Sequence, residues 1–147
     1  MTIHKVTPRL SVNDAPRAIA FYKEVFGADE KSRLVEPCGR VGHAELDFGG
    51  TIITLADEYP ELGFVGPTRY GGTSVTLHVL VDDCDAVIGR AVAAGAKLLR
   101  APKDEFYGER SGSVIDPFGH RWTIGHDIEK VSPEELQRRF DEMTKGG

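Results

Sequence analysis

The chain states one structural pattern twice, and a repeat of this kind leaves few folds open to it. Pro8 to Val12 alternate, Asn13-Asp14 follow, a helical pattern runs from Ala15 to Phe26, and Gly27-Ala28 stop it. Val75 to Val81 alternate, Asp82-Asp83 follow, a second helical pattern runs from Cys84 to Ala94, and Gly95-Ala96 stop it. Strand, acidic cap, helix and Gly-Ala terminator recur about 68 or 69 positions apart. The chemistry of each piece agrees with its place. Asn13 or Asp14, and Asp82 or Asp83, can accept the free amides of a first helical turn. Gly27 and Gly95 can take the left-handed conformation that ends a helix. Ala18, Phe21, Tyr22, Val25 and Phe26 form one apolar face, as do Val87, Ile88, Ala91, Val92 and Ala94.

Each helix precedes three short β-like runs. In the first half these are Lys31–Val35, Val41–Phe48 and Thr51–Ala56, with Gly49-Gly50 as a tight turn. In the second they are Lys97–Ala101, Gly112–Asp116 and Arg121–Gly125, with Pro117-Phe118-Gly119-His120 as the turn. The expectation is an α+β protein, a single domain over 1–147 built from two β-α-β-β-β modules. Module one spans about 5–57, a Gly- and Pro-rich joining loop 57–72, and module two about 73–127. Ser132-Pro133-Glu134-Glu135 carries a serine cap, a proline at the first position and a glutamate at the third. It opens a C-terminal helix over about 132–143.

Composition narrows the function classes. A net charge of −5 speaks against nucleic acid, which needs a cationic face. The longest apolar stretches, such as Ile52 to Ala56, are too short to cross a bilayer, so no membrane partner is expected. Two cysteines, Cys38 and Cys84, make no disulfide framework and suit a reducing compartment, hence a cytoplasmic location. Cys84 sits near a helix start, where a thiolate can be stabilised; the other reading is a small buried thiol.

The stretches Ala18-Ile19-Ala20-Phe21-Tyr22 to Val25-Phe26-Gly27-Ala28, Ala91-Val92-Ala93-Ala94-Gly95-Ala96 and Asp116-Pro117-Phe118-Gly119-His120-Arg121-Trp122 carry a family resemblance. With Tyr107-Gly108-Glu109-Arg110-Ser111-Gly112 and the terminal helix, the chain resembles the vicinal oxygen chelate superfamily. That superfamily includes glyoxalase I, bleomycin-resistance proteins and extradiol dioxygenases, and the likeness is greatest to its PhnB-like branch. The resemblance implies paired modules, a U-shaped mixed sheet around a small-molecule pocket, and a homodimer. Its metal-dependent members place one His or Glu ligand on the first and last strand of each module. Those four positions fall here on Thr7, Thr54, Thr76 and Thr123, and the two modules repeat them at one spacing. Four neutral hydroxyls are poor ligands for a divalent transition metal, so no cofactor is expected.

Strand alternation sorts the pocket lining, since residues two apart share a face. Arg9 and Ser11 go with Thr7, His78 with Thr76, and Arg121 with Thr123, while Leu10, Val12, Leu77, Val79, Trp122 and Ile124 go to the core. His43, Glu45 and Asp47 share a face opposite Ala44, Leu46 and Phe48. His78 is the candidate acid or base, or else a hydrogen-bonded structural histidine. Arg9 and Arg121 suit a carboxylate or phosphonate, or internal salt bridges. Tyr107, Glu109 and Arg110 are placed on a loop over the pocket. Phe64, Tyr59 and Tyr70 offer an aromatic wall or a dimer contact, and His120 and His126 carry no assigned role. The leading expectation is a metal-free small-molecule-binding protein with an anionic or oxygenated ligand. The alternative is a lyase, isomerase or epimerase using His78. A metalloenzyme with shifted ligands His43, Glu45 and His78 is the third reading.

Overall fold

The computed structural model describes residues 1–145, which fall into two compact units. The first comprises Met1–Val75 with the turn Asp116–His120, and the second Thr76–Ile115 with the chain from Arg121 onward.

In the first unit, β1 (Arg9–Val12), α1 (Ala15–Phe26), β2 (Asp29–Val35), β3 (Val41–Phe48) and β4 (Thr51–Asp57) follow in order. The sheet order is β1-β4-β3-β2, with β1 parallel to β4 and the other pairs antiparallel. Asp14 is the cap, its carboxylate accepting the Arg17 amide at 3.2 Å. Gly27 ends α1 at φ 68°, a backbone state that a side chain disfavours. Ala15, Ala18, Ile19, Phe21, Tyr22 and Val25 are buried on one stripe of α1, which lies against β2, β3 and β4. Asp57, at the end of β4, ties elements together. One of its oxygens accepts the Ala15 amide and the other the Val41 amide, each at 2.7 Å. The joining segment is more ordered than a loop. It holds a 3-10 turn, Pro60–Leu62, and a short helix, α2 (Pro67–Tyr70).

The second unit repeats the plan with β5 (Thr76–Leu80), α3 (Cys84–Ala93), β6 (Lys97–Asp104), β7 (Glu109–Ile115) and β8 (Arg121–Asp127), in sheet order β5-β8-β7-β6. Asp83 caps α3 by accepting the Ala86 amide at 3.3 Å. The α3 residues Val87, Ile88 and Ala91 are buried, and the helix lies on β6, β7 and β8. Helix α4 (Pro133–Lys145) follows, with the Ser132 hydroxyl accepting the Glu135 amide at 3.2 Å.

Several strand boundaries differ from the sequence expectation; β2 begins at Asp29 rather than Lys31, and β8 runs on to Asp127 rather than ending at Gly125. β6 runs past Ala101 through Pro102 to Asp104, which is tolerated because β6 is an edge strand with bulges around Arg100. β7 begins at Glu109 rather than Gly112, so Glu109 and Arg110 belong to a strand and not to a covering loop. The 105–108 turn is closed by the Glu105 amide donating to the Glu109 carbonyl at 2.8 Å. Gly112 lies so close to the Arg100 carbonyl, the Ile88 side chain and the Pro102 nitrogen that a methyl group there would collide with all three.

Candidate functional site

A pocket of about 360 Å³ lies within the first unit, with Arg9, Ser11, Val65, Tyr70, Ser74 and His120 in its lining. The alternation of β1 aims Arg9 and Ser11 away from the buried pair Leu10 and Val12. The Arg9 guanidinium sits 5.7 Å from the Phe64 ring centre and donates one bond, at 3.4 Å, to the Gly42 carbonyl. It forms no ion pair among the described residues. The nearby carboxylates of β3 are engaged elsewhere: Glu45 lies 3.3 Å from the His43 ring, and Asp47 accepts the Gly50 amide at 2.6 Å.

His120 reaches this pocket because Asp116 organises the turn before it. One Asp116 oxygen accepts the amides of Phe118 at 2.9 Å and His120 at 3.0 Å, and the other accepts the Tyr22 hydroxyl at 2.5 Å. His120 Nε2 stands 3.0 Å from the Ser11 carbonyl, an acceptor only, so Nε2 carries the proton. Gly119, at φ 93°, sits close enough to Pro67 and Thr68 that the turn packs on the start of α2.

The second unit presents a polar sheet face. In the parallel pairing of β5 with β8, Thr76 faces Arg121 and His78 faces Thr123. In the antiparallel pairing of β7 with β8, Ser113 faces Thr123 and Ser111 faces Gly125. On this face His78 Nε2 lies 2.6 Å from Glu109 Oε1. Side-chain exposure is 47% for His78 and 9% for Glu109. The carboxylate occupies the space over Gly125 that any side chain there would fill. An ionised carboxylate only accepts, so Nε2 is the donor and Nδ1 keeps its lone pair in the neutral ring. Thr123 and Ser113 hydroxyls bond at 3.3 Å. Arg121 is exposed and forms no ion pair among the described residues.

The other candidates divide. The Tyr107 hydroxyl is 3.2 Å from Ser111 Oγ, which also receives a bond from Arg100 at 3.0 Å, so Tyr107 is part of an internal network. Thr7 is exposed and precedes β1, and the residue of β1 opposite Thr54 is Arg9. Thr54 is buried, with its hydroxyl donating to the Pro8 carbonyl at 3.2 Å. With Thr54 and Thr123 engaged in these bonds, the four threonines offer no donor set for a divalent metal. Among the described residues no group of three or more His, Cys, Asp or Glu side chains is placed to hold one. Cys84 is buried, and its thiol is pushed up to about 11 by burial and then by the Asp85 carboxylate, which removes any thiolate role at neutral pH. His126 Nδ1 accepts the Cys84 amide at 3.0 Å, so it is structural.

Sequence reasoning missed His120 as a pocket residue and Glu109 as the partner of His78. The only sequence signal for the first is the Asp-Pro-Phe-Gly turn before it, and for the second the glycine at 125.

Comparison with known proteins agrees with this architecture. Residues 2–124 match the Glyoxalase/Bleomycin resistance protein/Dioxygenase superfamily. An uncharacterised protein of Mycobacterium bovis is 39% identical over 144 residues, covering 96% of this chain and 95% of its own length. The structure of TioX from Micromonospora sp. ML1 superposes with a TM-score of 0.65 at 29% identity, covering 86% of this chain and 100% of that one. A glyoxalase-related enzyme from Fulvimarina pelagi gives a TM-score of 0.68 at 25% identity, covering 85% and 89%.

Proposed function

The chain belongs to the glyoxalase/bleomycin resistance protein/dioxygenase superfamily, and from that premise we propose that it is a metal-independent small-molecule-binding protein whose ligand is anionic or rich in oxygen. We place it in the PhnB-like branch, on the Tyr107–Gly112 stretch and the terminal helix, and in the cytoplasm, on its free cysteines. One observation carries the binding reading: Arg9 lines a pocket of about 360 Å³ and has no carboxylate partner among the described residues. A guanidinium never sheds its charge, so its stable partner is an anion from solution. Ser11, Thr73, Ser74 and His120 in the same lining supply polar groups for the remaining oxygens.

Thermal-shift curves test it. Carboxylates and phosphonates raise the melting temperature while neutral apolar compounds do not, because a ligand held only by the folded state stabilises it by mass action. Arg9→Met removes the rise and leaves the circular dichroism spectrum intact. Equal responses to all three classes, or a variant that responds like wild type, overturn the reading. A second reading, a lyase, isomerase or epimerase, is favoured by one observation, the His78–Glu109 pair.

A further inference from the structure

We infer that the polar face of the second sheet is a proton-transfer site, with His78 as the base, Glu109 as its positioning residue and Arg121 as the anchor for a 2-oxo acid. This develops the enzyme reading and does not depend on the anion pocket of the first unit.

Three features of the face point the same way. Glu109 is nearly buried and spends its Oε1 on His78 Nε2 at 2.6 Å, over a glycine that leaves room for nothing else. That bond fixes the tautomer and orients the ring, the relation a buried carboxylate has to a catalytic histidine in other enzymes. His78 itself is 47% exposed, and among the described residues no group is hydrogen-bonded to Nδ1. The lone pair is therefore open to a molecule from solution. No hydroxyl or thiol among the described residues is bonded to His78, so the pair is equipped to move a proton and not to activate a nucleophile of the chain.

The substrate class follows from the neighbours. Arg121 shares the face with His78, opposite Thr76 and two residues before Thr123 on β8, and its charge has no ion-pair partner among the described residues. A carboxylate matches it. Imidazole is a weak base, so the carbon that yields its proton must stand beside a carbonyl. A 2-oxo acid has both groups. Nδ1 takes a proton from C3, the C–H electron pair forms the C2–C3 double bond, and the carbonyl pair moves onto oxygen as an enolate beside Arg121. The imidazolium then returns a proton to C3, so the protein and the electron count are restored.

The test uses the full chain with pyruvate and 2-oxobutanoate in D₂O, followed by proton NMR. The C3 protons exchange for deuterium faster than in buffer by roughly a hundredfold, the usual scale of a positioned base. Butanone, which lacks the carboxylate, exchanges at the buffer rate. His78→Gln abolishes the gain, and Arg121→Met reduces it for both acids. Glu109→Gln slows exchange and changes the ¹⁵N signature of the His78 ring, which in wild type reports Nε2 protonated and Nδ1 bare. Exchange at the buffer rate in wild type, a His78→Gln variant that exchanges like wild type, or a neutral wild-type ring protonated at Nδ1 overturns the inference. None of these outcomes alters the Arg9-dependent thermal shift, so the two readings fail separately.

Discussion

Glu109 owes its position to a missing side chain. Its carboxylate lies against the backbone of Gly125, on the strand paired with its own, and a methyl group at 125 would occupy the same space. Gly125→Ala therefore moves the carboxylate off His78 and leaves a charged group with poorer partners in a mostly buried place. We expect a loss of about 2 kcal/mol in urea unfolding, the scale for disrupting a buried hydrogen bond to a charged group. The His78 ring signature changes with it. An alanine variant with wild-type stability and an unchanged ring would mean that Glu109 does not depend on the glycine. Arg9 is the opposite case, a charge with no carboxylate partner among the described residues, bonded to the Gly42 carbonyl and set over the Phe64 ring.

Between elements, the ties of the second unit are ionic and open to titration. Arg110 on β7 bonds both oxygens of Asp85 on α3, at 2.8 and 2.9 Å, and also Asp104 on β6 at 3.1 Å. The guanidinium holds the Asp85 carboxyl down from its ordinary 3.8 to about 2. A lowered carboxylate contributes stability that is complete above about 4 and is lost as the pH falls through about 2. The protection of the α3 amides against hydrogen exchange, taken relative to the intrinsic rate at each pH, accordingly falls across that window in wild type, and Asp85→Asn flattens the response. The effect is small, since the pair is solvated and screened by salt. An unchanged pH response in the Asn variant would show that the tie contributes nothing. In the first unit Asp57 plays the corresponding part with neutral donors, holding the start of α1 and the start of β3 on one carboxylate.

At the scale of the molecule, each four-stranded sheet leaves edge strands, and the exposed residues of β2 and β6 include Leu34, Val35, Leu98 and Leu99. Unpaired edges with apolar side chains favour pairing or cover. Phe64 and Tyr70 of the joining segment are exposed as well. Sedimentation velocity at micromolar concentration is expected to find a two-chain species, and a single-chain species throughout that range would overturn the expectation. Among the described residues no helix is long and apolar enough to cross a membrane.

What the amino-acid order determined was everything carried by near neighbours. The repeat, a cap of Asn or Asp before each helix, the stop at Gly27, the bounds of α1 and β3 and the buried faces of β1, β3 and β8 follow from spacings of two to four residues. They are legible because an amide and its cap, or two residues on one strand face, are set by local geometry. The site was legible only in part: Arg9, His78 and Arg121 were marked by charge on a polar face, but their partners were not. Glu109 meets His78 across 31 positions, and His120 meets Ser11 across 109. Such meetings depend on strand register and on how a turn packs, and a slip of one residue turns a side chain to the other face. Proline at 102 hid the end of β6 for the same reason. Whether a strand lies at an edge, where a missing N–H does no harm, is decided by the sheet and not by the strand.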